Sequence, residues 1–180
     1  MARVHKITRS NKEHTCGHVP THVIPKGDPY LWAKPGFRTR TPKIRCVDHP
    51  FRPSELATGL NAEPMAAQEE FDDTLGTLYR GDYDGLEAAV DAFREALEAY
   101  RAARQEALDA WENGNSQFEQ YVEEAEEALG YLEDLTIDPF EEEEPEDADS
   151  EEWAEWDAQA EDHWDEQITN AEDASASVSL

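Results

Sequence analysis

Apolar positions follow two different rhythms along the chain. Up to about residue 60 they come in short runs broken by Pro and Gly, which predicts short strands and turns. "IPKGDPY" (24–30) reads as a turn leading into the strand-like "YLW", and "KPGFRTRTPKIRC" repeats the device, ending a second strand on Cys46. "RPSEL" reads as a helix start with Ser54 as N-cap. Beyond residue 60 the rhythm becomes helical. Leu86, Val90, Phe93, Leu97 and Tyr100 alternate steps of four and three, with Leu108 and Trp111 continuing less regularly, so this helix carries one apolar seam. "ENGNS" (112–116) stops it and caps a second helix with a seam through Phe118, Val122, Ala125, Leu129 and Leu132, which predicts an antiparallel helical hairpin or coiled coil. A helix over 61–79, weakened by Gly76, precedes the pair. Residues 137–152 are an acidic run with two prolines, expected to be a disordered linker. Trp153, Trp156, Ala160, Trp164 and Ile168 then share a helical face over 153–170, and 171–180 reads as a loose tail.

Charge divides the chain at the same place. Residues 1–60 hold eleven Lys or Arg against four acids, about +7; residues 61–180 hold four Arg against 39 acids, about −35. The acidic part repels phosphates and anionic membranes and favours solubility, while the basic part attracts nucleic acid or acidic protein. No run is long and apolar enough to span a bilayer, and "MARVHKITRSNKEHT" lacks the apolar core of a signal peptide. A cytoplasmic location is expected.

Residues 14–50 have few core-forming side chains, chiefly Val23, Ile24, Tyr30, Leu31, Trp32, Phe37 and Ile44. A unit this small normally needs a staple. "HTCGHVPTH" and "RCVDH" offer one. Cys46 and His49 have the Cys-x-x-His spacing of a zinc knuckle, and Cys16, followed by Gly17, opens the other half-site. His18 is the favoured fourth ligand, His22 its alternative, and His14 is also within reach. A Cys16–Cys46 disulfide is the competing staple, less suited to a reducing compartment. Four protein ligands leave no open position for water, so the expected Zn²⁺ is structural rather than catalytic. The fold class is therefore a zinc-stapled β module, zinc-ribbon or treble-clef-like, followed by mainly α, acidic helices with a disordered linker and tail. The domains are a basic flexible arm (1–13), the zinc module (14–60), amphipathic helices (61–136), the linker (137–152), the Trp-bearing helix (153–170) and the tail (171–180).

"CGH…IPKGDPYLW" followed by "IRCVDHPFRPSELAT" resembles a family of uncharacterised small proteins of actinobacterial tailed phages. Their N-termini read Cys-Gly-x-Cys, Ile-x-x-Gly-Asp-Pro-Tyr-x-Trp, Arg-Cys-x-x-Cys and a Pro-x-Ser-Glu-Leu-Thr-like helix start. The resemblance is detailed over residues 1–60 and compositional beyond. It implies a four-cysteine zinc ribbon. This chain departs from it with His49 at the last cysteine, a change zinc accepts, and with Val19 at the spacing of the second.

No nucleotide-binding loop, hydrolase elbow or metalloprotease motif occurs, and "DHP" at 48–50 lacks the companions of an HNH nuclease. The carboxylates of the helices lack a calcium loop. The expected function is non-enzymatic: a phage accessory protein binding nucleic acid or a protein partner. Arg38, Arg40, Lys43, Arg45 and Arg52, with Trp32 and Phe37 nearby, are the nucleic-acid candidates. The alternative is an acidic protein-interaction or DNA-mimic factor whose zinc module only anchors the helices. In that reading the helices meet a host or phage protein or a second copy of the chain, and the tryptophan face is a helix-in-groove element.

Overall fold

A computed structural model describes residues 1–35, 41–111, 116–142, 145 and 150–179. The chain divides into two compact units, Met1–Ala66 and Ala67–Leu180. The first is a small β region and the second is helical.

In the first unit, β1 (His5–Ile7), β4 (Tyr30–Ala33) and β5 (Lys43–Cys46) form an antiparallel sheet in the order β1-β4-β5. A second ladder pairs β2 (His14–Thr15) with β3 (Val23–Ile24). The basic arm expected at 1–13 thus contains a paired strand. Ser10 holds its far end: its N–H donates to the Asp28 carbonyl and its carbonyl accepts from Gly27, each at 2.9 Å. Gly27 has φ +104°, a conformation that side-chain-bearing residues avoid, which is how the Pro25–Asp28 turn closes.

Helix α1 (Pro53–Leu56) has Arg52, not Ser54, at its N-cap. Pro53, with no N–H to satisfy, occupies the first turn, and the Arg52 N–H donates to Glu55 Oε2 at 3.1 Å. A short 3₁₀ turn, Gly59–Asn61, follows. The buried cluster of this unit is Cys16, Ile24 and Cys46, with Tyr30 and Ile44 packed on it.

The second unit is built from α2 (Ala62–Leu75, from Ala67 on), α3 (Tyr83–Asp109), α4 (Ser116–Glu133) and α5 (Ser150–Ser177). The whole predicted α3 seam, Leu86 to Tyr100, is buried, as are Val122, Ala125, Leu129 and Leu132 of α4. α3 and α4 run antiparallel: Arg94 meets Leu132, while Arg104 reaches Tyr121 farther up the pair. Phe71 of α2 stacks on Phe93 at 5.2 Å.

α5 folds onto this core. Trp164 is buried, with its ring 5.2 Å from that of Tyr83, and the Trp156 indole donates to the Glu142 carbonyl. The helix continues past residue 170 to Ser177, so the expected loose tail is mostly helix. Ala171, Ser175 and Val178 are buried there, and Ser175 donates to Asp72 Oδ1 at 2.8 Å. The start of the expected linker is also docked. Ile137 packs on the core, as does Leu135 just before it, and Phe140 lies against Trp156 and His163. Residues 143, 144 and 146–149 of that stretch are outside the described residues.

Candidate metal centre

Two tight turns bring the donors together. The β2–β3 hairpin supplies Cys16 and His22: the Cys16 N–H donates to the His22 carbonyl at 2.9 Å and the His22 N–H to Val19 at 2.8 Å. The end of β5 supplies Cys46 and His49, whose N–H donates back to the Cys46 carbonyl at 3.3 Å. A fourth bond joins the turns, from the Gly17 N–H to the Ile44 carbonyl at 2.8 Å. A β-carbon on Gly17 would lie 3.0 Å from that carbonyl oxygen, so glycine is what allows this approach.

The ligand atoms of Cys16, His22, Cys46 and His49 all lie within 4.8 Å of one another. His22 Nδ1 and His49 Nδ1 are 3.4 Å apart. Cys46 Sγ lies 3.4 Å from His22 Nδ1 and 2.9 Å from His49 Nδ1, and Cys16 Sγ lies 3.9 Å from His49 Nδ1. Tetrahedral zinc with ordinary bond lengths has N···N edges of about 3.4 Å and S···N edges of about 3.6 Å. The donors bracket those edges. Both cysteines are free thiols, so the disulfide alternative is not formed.

Two thiolates and two neutral imidazoles would also cancel a divalent charge, which suits a buried site. Burial pushes the Cys16 thiol up, but the backbone amides of Cys46, Val19 and His18, with the Cys46 side chain, bring it down to about 6. Cys46 is pushed up by burial and by its hydrogen bond with Cys16. Cys16 is therefore the readier thiolate, and a metal would displace the proton that Cys46 retains.

The histidine that joins His49 in the cluster is His22, the alternative of the sequence reading, rather than His18. His18 lies on the hairpin tip, its ring 5.4 Å from that of His49 by centroids, and is not among the four clustered donors. His14 instead packs on Tyr30 at 4.7 Å. The nucleic-acid candidates separate as well. Lys43 and Arg52 are exposed, whereas Arg45 is buried, paired with Glu55 and set over the Phe51 ring. An arginine held this way is a structural cation and not a phosphate contact. Arg38, Arg40 and Phe37 lie outside the described residues.

Among the described residues no helix is long and apolar enough to cross a membrane. Comparison with protein-family models, with curated proteins and with solved structures gives no match to this chain.

Proposed function

We propose that the protein is a non-enzymatic binding protein whose N-terminal unit is stapled by one structural zinc, held by Cys16, His22, Cys46 and His49. The observation that carries this reading is that the ligands are themselves the core. Cys16 and Cys46 are two of the three residues in the buried cluster of the first unit. A β region with so little apolar material needs a metal to hold its turns together. Zinc suits the two-sulfur, two-nitrogen donor set, and a four-ligand site has no position left at which to activate water. The metal would fix the register of β2–β3 against β5 and present a basic surface to nucleic acid or to a protein partner. The resemblance of residues 1–60 to small phage proteins supports an accessory role in the cytoplasm of an infected cell.

The test is the zinc-to-protein ratio of chain purified without added metal. We expect one zinc per chain, lost in His22→Ala and His49→Ala and kept in His18→Ala. A chain without zinc, or loss of zinc in His18→Ala but not in His22→Ala, overturns the assignment.

A further inference from the structure

The face of the three-stranded sheet that carries Cys46 has a second end. Register places Ile7, Tyr30 and Cys46 on one rung, and His5, Trp32 and Ile44 on the same face two residues along each strand. On that second rung the His5 and Trp32 rings lie face to face, centroids 4.2 Å apart and planes within 10° of parallel. β1 is an edge strand, so the stack stands at the margin of the sheet. Arg3 and Lys34 come two residues farther along the same register, beyond the ends of β1 and β4, and both are exposed. No Asp or Glu occurs in residues 1–12 or 29–47.

We propose that this end of the sheet binds single-stranded nucleic acid, with a base stacking on the His5–Trp32 pair and neighbouring phosphates held by Arg3 and Lys34. This deepens the binding role proposed above and rests on it. Aromatic rings beside cations, on strands that themselves carry no carboxylate, form the arrangement that holds unpaired bases without reading their sequence. A duplex fits less well. Its bases are stacked away from the ring pair, and α1, the helix after the metal-binding turn, has only four residues, too few to lie along a major groove. The tethered acidic half also opposes the denser charge of a duplex more than that of a single strand.

The experiment is fluorescence anisotropy of the full chain with a labelled oligothymidylate of about 12 nucleotides, within the usual span of such sites. It is run at low and moderate salt, with zinc content measured on every variant. Wild type should bind, and bind more weakly as salt rises. Trp32→Leu should weaken binding about tenfold or more, and Trp32→Phe should retain most of it, because a ring is what a base requires. Arg3→Glu with Lys34→Glu should weaken it and flatten its salt dependence. Should Trp32→Leu lose zinc, His5→Ala at the sheet margin and the charge-reversal pair decide in its place. The proposal is overturned if a zinc-bearing chain fails to bind the single strand at low salt. It is equally overturned if zinc-retaining ring variants bind like wild type, or if a duplex of equal length binds more tightly. A chain that lacks zinc altogether fails the earlier reading instead, and the two failures are told apart by the metal measurement.

Discussion

Gly17 shows how one residue can govern the metal centre. Its N–H is the bond that ties the β2–β3 hairpin to β5, and a methyl group there would press on the Ile44 carbonyl at 3.0 Å. Backbone cannot give way as a flexible side chain can, so Gly17→Ala should push Cys16 away from Cys46. We expect a cost of about 1–3 kcal/mol in stability, and weaker zinc retention when a chelator competes; unchanged retention would mean that the hairpin tolerates the shift. The same hairpin explains what was legible at this scale. The Cys46–His49 spacing was readable because one turn sets it. The choice between His18 and His22 was not, since it depends on a two-residue ladder pairing Thr15 with Val23, which puts His22 opposite Cys16. Strands of two residues leave almost no periodic signal. Arg45 was misread for a related reason: its burial depends on Glu55, ten residues later, and on the Phe51 ring.

At the level of elements, the seams of α3 and α4 were plain because large apolar residues recur over several turns, and long periodic stretches identify themselves. The end of α5 was not. Ala171, Ser175 and Val178 keep helical spacing, but two of them are small and one is polar, so nothing marked them as a packed face. Removing 171–180 provides the decisive comparison. A loose tail would leave stability unchanged. The buried Ala171 and Val178, and the bonds from Gln68 to the Ser175 carbonyl at 2.7 Å and from Ser175 to Asp72, indicate a loss of about 2–4 kcal/mol. Thermal unfolding followed by helical circular dichroism would measure it. β1 went unread because His5-Lys6-Ile7 is short and basic, and its partner lies some 25 residues away in sequence.

For the whole molecule, the two units rely on different sources of stability. The first unit buries few side chains around its cysteines, whereas the second has a continuous core from Phe71 to Val178 with no clustered metal donors among its described residues. If the proposed metal staples the first unit, a strong chelator should unfold that unit while leaving most of the helical signal. Hydrogen exchange should show protection lost across β1–β5 and kept across α3 and α4. Collapse of both together would show that the helical unit depends on the metal as well.

The arginines of the helical unit carry a further consequence. Three of the four present beyond residue 60 join separate parts of the fold. Arg94 donates to the carbonyls of Leu132 and Leu135 where α4 ends, Arg104 lies between the rings of Tyr100 and Tyr121, and Arg80 pairs with Asp157 and Glu161 of α5. Exposed carboxylates, by contrast, are abundant and each makes little difference. As the sequence drifts over generations, aspartates and glutamates on the helix surfaces can trade places or disappear with little effect. Arg94 and Arg104, set into the packing of α3 against α4, are harder to replace, so distant descendants of this chain would be recognisable less by their acidity than by where those two cations sit.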